Sequence, residues 1–164
     1  MRKRARRCAR AASAVARERC EASRMPRMTL PELEALMDQY FQGWRSFSRI
    51  TALGEQDITV TMPFRKDLMR AGGTISGPAL MALADTAAYY LTLAHAGPVP
   101  SAATANLDIH FLVRPQPGDI TATATMLRLG RRLAVAKVDL HSGDQLVAHA
   151  TVTYALPPSA SPAA

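Results

Sequence analysis

Cysteine is nearly missing from this chain of 164 residues. Its two examples, Cys8 and Cys20, both fall within the first 27 residues, so the 164 − 27 = 137 residues that follow have no thiol. That excludes a disulfide framework or a thiolate-held metal in the body of the protein, and it suits a reducing compartment; a cytoplasmic location is expected. Aspartate and histidine are scattered, with no ligand spacing, so no metal is expected. Aromatic residues make up 5% and charged ones 20%, while hydrophobic residues reach 48%. This is enough apolar material for a core and too little net polarity for a disordered chain. The length suits one domain.

The formal net charge of +7 suggests at first a nucleic-acid or membrane-surface protein. Its location argues otherwise. Residues 1–27 hold nine Arg and one Lys against Glu18 and Glu21, which gives +8; the rest of the chain then carries 7 − 8 = −1. The basic stretch has no apolar face that could dock or enter a bilayer, and no apolar run of the kind a secretory signal needs. It is expected to be disordered. An organelle transit peptide, a nucleic-acid-binding arm and an extension ahead of a start at Met25 or Met28 all fit its composition. Nucleic acid is not an expected partner of the body, which is read as one domain over residues 28–158, followed by a disordered tail at 159–164.

Thr29-Leu30-Pro31-Glu32 has the form of a capping box, and Leu33, Leu36, Met37, Tyr40 and Phe41 recur at helical spacing. A short helix is expected at about 30–41, ending at Gly43. Ser46 to Leu53 and Asp57 to Pro63 read as a strand pair, with Phe64 to Ile75 as a loop. Ser76 can then cap a helix that Gly97-Pro98 ends. About 19 residues at roughly 1.5 Å each make it about 28 Å long, and it is apolar nearly all round, the mark of a buried helix. A central aspartate and many alanines argue against a membrane span. Four strands follow: 101–112, 119–129, 133–142 and 146–156. In the first, Ala105, Leu107, Ile109 and Phe111 alternate with Thr104, Asn106, Asp108 and His110. Turns at Pro115–Gly118, Gly130-Arg131 and Ser142–Asp144 read as joining the four into a meander. One helix and about six antiparallel strands imply an α+β fold in which a curved sheet wraps the long central helix.

Asp85 is the odd residue. It is the only formally charged side chain from Ala71 to Leu107, in the middle of the most apolar helix. A buried carboxylate costs several kcal/mol unless compensated, and no Lys or Arg lies within helical reach. Either it faces a solvent gap or caps a backbone group, or chemistry uses it. Met81 and Tyr89, four residues to either side, share its face as core packing or as ligand contacts.

The run Ser76-Gly77-Pro78-Ala79-Leu80-Met81-Ala82-Leu83-Ala84-Asp85 resembles the signature of the PaaI-like hotdog-fold acyl-CoA thioesterases. Thr104 to Pro115, Gly130 to Val135 and Val147 to Thr151 resemble later segments of the same family, so the resemblance covers about residues 29–158. It implies a hotdog fold and hydrolysis of acyl-CoA esters to free acid and CoA, an activity of the EC 3.1.2 type. Asp85 would be general base or nucleophile, and the Gly77 N–H at the positive end of the central helix would polarise the carbonyl. Thr104 matches a hydroxyl that helps to hold the water. These groups are expected to converge on one point, with the acyl chain in a slot lined by Ala and Leu. Coenzyme A is part of the substrate, and no other cofactor is implied. The resemblance also implies a dimer, or a dimer of dimers forming a homotetramer, with the cleft between subunits.

Three positions depart from the family pattern. Ser76 stands in place of the usual histidine, Pro78 in place of the second glycine, and Arg70 where an asparagine is common. Ser76 can cap the helix or bond a carbonyl; Arg70 could pair with Asp85 or with substrate phosphate. Asn106 joins the candidate substrate contacts. Arg131 and Arg132 are either solvated turn charges or contacts to the CoA phosphates. His95, His110, His141 and His149 read as structural. A non-catalytic acyl-CoA-binding hotdog module is the alternative function, and a hydratase of the same fold is a third.

Overall fold

The computed structural model describes residues 25–158. The basic stretch up to residue 24, with Cys8 and Cys20, and the tail at 159–164 lie outside the described residues. The chain is already tied down at Arg27 and Met28, whose amides both donate to the Ala94 carbonyl, at 2.8 and 3.1 Å.

The first helix, α1 (Leu30–Tyr40), starts with the expected capping box: the Glu32 carboxylate accepts from the Thr29 amide at 2.7 Å and its hydroxyl at 2.8 Å. Gly43, at φ +77°, reverses the chain into a one-turn helix, α2 (Trp44–Phe47). The expected strand from Ser46 therefore starts later, as β1 (Arg49–Leu53), and pairs with β2 (Asp57–Met62). The expected loop at 64–75 contains a 3₁₀ turn (Lys66–Leu68) and a small ladder of β3 (Met69–Arg70) with β4 (Thr74–Ile75). Gly72 and Gly73 turn that ladder with φ of +103° and +78°, conformations in which a Cβ would be strained.

The central helix α3 (Gly77–Ala96) is capped by Ser76, whose hydroxyl accepts from the Ala79 amide, and it ends at Gly97. It is followed by β5 (Ala103–Phe111), β6 (Ile120–Leu129), β7 (Leu133–Ser142) and β8 (Gln145–Ala155). Six antiparallel strands lie in the order β1-β2-β6-β7-β8-β5, and α3 packs on the inner face of this sheet. The α+β architecture is the expected one. The four-strand meander is not: β6, β7 and β8 follow one another, but β5 pairs with β8, and Pro115–Gly118 leads from that edge to β6 beside β2. Turn residues mark where a chain reverses; they do not choose between neighbours whose inner faces are equally apolar.

The core is the helix against the sheet. Leu83, Ala87, Leu91 and Ala94 are fully buried against Val60, Ala122, Val138, Ala150 and Val152. Alanines on both surfaces bring helix and sheet close together, and each larger aliphatic side chain contributes about 1.5–3 kcal/mol by leaving water. His95 closes the last turn of α3, with Nδ1 3.0 Å from the Leu91 carbonyl and Nε2 2.9 Å from that of Glu55 in the β1–β2 turn.

Candidate active site

Asp85 lies at mid-length of α3, half-buried, in the wall of a cavity of about 620 Å³. Two hydroxyls meet its Oδ1: Thr104 donates from 2.8 Å and Tyr154 from 2.7 Å. The Tyr154 hydroxyl also lies 3.2 Å from the Asp85 carbonyl. Burial, reinforced by the charge of Asp85 beside it, pushes the Tyr154 phenol well above the usual tyrosine range, so it stays a donor. No cation pairs with Asp85 among the described residues; its compensation is two charge-assisted hydrogen bonds, with Oδ2 left over.

Thr104 reaches Asp85 through an irregularity. Strict alternation would put it on the outer face with Asn106, Asp108 and His110. The register shifts between Thr104, opposite Tyr154, and Asn106, opposite Thr153. Ala105 is the extra residue of a bulge, so Thr104 joins Leu107, Ile109 and Phe111 on the face that meets the helix. Asn106 is placed on the outer face and does not line the cavity.

The cavity wall is aromatic, where Ala and Leu were expected. Phe41, Trp44 and Phe47 come from the α1–α2 segment, Tyr89 and Tyr90 from α3, and Tyr154 from β8. Six of the nine aromatic residues in the chain thus line one cavity. Tyr89 donates its hydroxyl to the Pro100 carbonyl at 3.0 Å, and burial pushes its phenol up to about 12. Met81, at the other end of the shared face, is 41% exposed and does not line the cavity.

Gly77 does not join Asp85 within one chain. Eight residues of helix separate them by about 12 Å, and Gly77 lines a different cavity of about 690 Å³ with Ser76, Arg70, Phe111 and Arg114. The expected convergence on one point therefore fails within a protomer, as does a pairing of Arg70 with Asp85. The cause is the helical rise, which places the start and the middle of α3 in separate clefts. The Gly77 amide, first of the helix, has no intrahelical acceptor and stands available to a ligand oxygen. Arg131 lies in a third cavity, beside Arg27 and Pro157, and Arg132 is exposed in the β6–β7 hairpin. Among the described residues no group of three potential ligands could hold a metal, and no helix is long and apolar enough to cross a membrane.

A family model described as the thioesterase superfamily matches residues 72–155, just over half of the chain, from the β3–β4 turn through α3 to the end of β8. The chain belongs to the thioesterase superfamily. A solved structure described as a thioesterase from Silicibacter sp. TM1040 is 35% identical, with a TM-score of 0.76 over 83% of this chain and 96% of that one. The phenylacetic acid degradation protein PaaI from Thermus thermophilus, solved as a mutant, is 26% identical, with a TM-score of 0.62 over 70% of this chain and 96% of that one. The medium/long-chain acyl-CoA thioesterase YigI of Salmonella typhimurium is 49% identical over 53 residues, a match spanning 31% of this chain and 34% of that protein. The resemblance to PaaI-like hotdog thioesterases is thereby borne out, and so is the hotdog fold.

Two features of this thioesterase-superfamily site escaped sequence reasoning. Tyr154 is one; its inward place in β8, two residues after buried Val152, was the available signal. The Phe41, Trp44 and Phe47 wall is the other, and only the scarcity of aromatics elsewhere hinted at it.

Proposed function

We propose that this protein hydrolyses acyl-CoA thioesters to free acid and CoA. The observation that carries the reading is the Asp85 carboxylate, held by the Thr104 and Tyr154 hydroxyls in the wall of an aromatic-lined cavity; membership of the thioesterase superfamily supports it. Oδ2 of Asp85 takes a proton from a water molecule as the water oxygen attacks the thioester carbon. Charge builds on the former carbonyl oxygen and is stabilised by the Gly77 N–H. Collapse of the tetrahedral intermediate breaks the C–S bond, and the proton on Asp85 returns to the CoA thiolate. The acid keeps the water oxygen.

Because Asp85 and Gly77 of one chain lie in separate clefts, the catalytic unit is a dimer in which the Gly77 amide of one copy faces the Asp85 of the other. Strand β5 offers the edge for such pairing: nearly all its residues are exposed, and its end continues into exposed Phe111, Leu112 and Val113. Ser76 acts as the helix cap that keeps the Gly77 amide aimed outward. Arg70 and Arg114, beside the helix start, and Arg131 and Arg132, on the hairpin, are the candidates for CoA phosphates.

The test is release of free thiol from a panel of acyl-CoA esters by wild type and by Asp85→Ala, with oligomeric state checked for both. Loss of most turnover in a folded variant is expected; unchanged turnover would sink the assignment. Binding of acyl-CoA without any product release would favour the alternative, a non-catalytic acyl-CoA module.

A further inference from the structure

We infer that the segment from Met37 to Phe47 is the acyl-size gate of this site, so that the substrate is the CoA ester of a compact apolar acid rather than a long fatty acid. The inference rests on the thioesterase reading above and goes beyond it. The chain of ring contacts sets the direction of the cavity from Asp85. Of the lining residues, Phe41, Gln42, Gly43, Ala103 and Thr104 are exposed, while Met37, Trp44, Tyr89, Tyr90 and Tyr154 are buried. From the carboxylate the rings connect in sequence. Tyr154, on the carboxylate, lies 5.5 Å from Tyr89 between centroids; Tyr89 lies 5.6 Å from Phe41 and 6.3 Å from Tyr90; Tyr90 meets the edge of Trp44 at 5.7 Å. Trp44 therefore stands at the far end of a path that begins at Asp85.

That end wall is bolted in place. The Trp44 indole N–H donates to Asp38 Oδ1 at 2.8 Å, and the Arg45 guanidinium stacks over the indole at 4.4 Å while it binds Asp38 Oδ2 at 3.0 Å. Ser48 and Tyr90 share a hydrogen bond of 3.0 Å, which joins the end of α2 to the central helix. The Tyr89 and Tyr90 hydroxyls are both engaged by protein partners, so the rings offer the ligand carbon rather than oxygen. Aromatic side chains with two rotatable bonds, held by such contacts, do not retreat easily to admit more methylenes. An acyl group that enters past Asp85 runs along α3 beneath Phe41 and stops against Trp44.

The test pairs turnover with binding. Straight-chain acyl-CoAs from butanoyl to hexadecanoyl, and phenylacetyl-CoA, are given to wild type, Phe41→Ala and Trp44→Ala, and calorimetry follows binding of the matching S-alkyl-CoA thioethers. Wild type is expected to favour octanoyl or phenylacetyl over hexadecanoyl by about 10-fold or more, and each variant to raise the hexadecanoyl-to-octanoyl ratio by about 10-fold, the scale on which an apolar pocket reads one methylene. Partly exposed Phe41 keeps the test open if Trp44→Ala does not fold. A wild type that prefers hexadecanoyl, or ratios that do not move in Phe41→Ala, overturns the gate. Turnover with an unmoved profile refutes the gate alone. Thioether selectivity that moves without any turnover keeps the gate and refutes hydrolysis, and absence of both turnover and binding refutes both.

Discussion

A heterodimer with one lesion in each chain tests where the catalytic groups come from. One chain carries Asp85→Asn and the other Gly77→Pro, which removes the first amide of the central helix at a position that tolerates proline. The base, the water, the attacked carbonyl and the amide donor, joined by contacts of about 3 Å and bent at the carbon, span about 6–7 Å. The helical rise puts the two residues of one chain about 12 Å apart, in separate cavities. In a composite site the double heterodimer therefore has one intact centre and one that carries both lesions. Each parent homodimer is expected to lose about 10²-fold or more in kcat, through the missing base or the missing oxyanion donor. Heterodimers purified by two different tags are expected to recover about half of the wild-type rate, as follows from two equivalent sites related by a two-fold axis. Gly77→Ala is the steric control: its Cβ makes the same 3.3 Å approach to the Phe111 ring but keeps the amide. A heterodimer no more active than its parents, or chains that do not copurify, would refute the arrangement.

Tyr154→Phe removes a charge-assisted hydrogen bond from Asp85 and is expected to lower kcat by about 10–100-fold, from about 1.5–3 kcal/mol per such bond; Thr104→Ser, which keeps the hydroxyl, is expected to stay near wild type in the same thiol-release assay. His95→Leu should cost about 1–3 kcal/mol in denaturant unfolding, because the Glu55 carbonyl loses its partner and the anchor between α3 and the β1–β2 turn is cut, while turnover per folded molecule is unchanged. On the outer sheet face, burial pushes the Asp139 carboxyl up, but hydrogen bonds from His149 and Lys137 outweigh it and hold the group below 3.8. Its folded value lies below its unfolded one, so this stabilisation is present at neutral pH and fades as pH falls below about 3.8. Asp139→Asn is thus expected to lower the melting temperature at pH 7, by a difference that shrinks with acidification; a constant difference down to acid pH would contradict the sign.

Local chemistry alone settled a good part of this protein. The capping box at Thr29 and Glu32, the Ser76 cap, the Gly97 stop and the unbroken apolar surface of the central helix are short-range signals, so both helices were legible, as was the isolation of Asp85. The motif around it carried the family. Tertiary structure decided what depends on residues distant in the chain. The partner of β5 is chosen by packing over the whole sheet, and the turn at Pro115–Gly118 has no say in it. One bulge at Ala105 turned Thr104 from the outer face to the carboxylate, a reversal that a period of two cannot announce. Helix pitch separated Gly77 from Asp85, although both sit in one continuous motif. Scarce aromatics, spread from Phe41 to Tyr154 in the sequence, become a single wall only when α1, α2, the central helix and β8 meet in space.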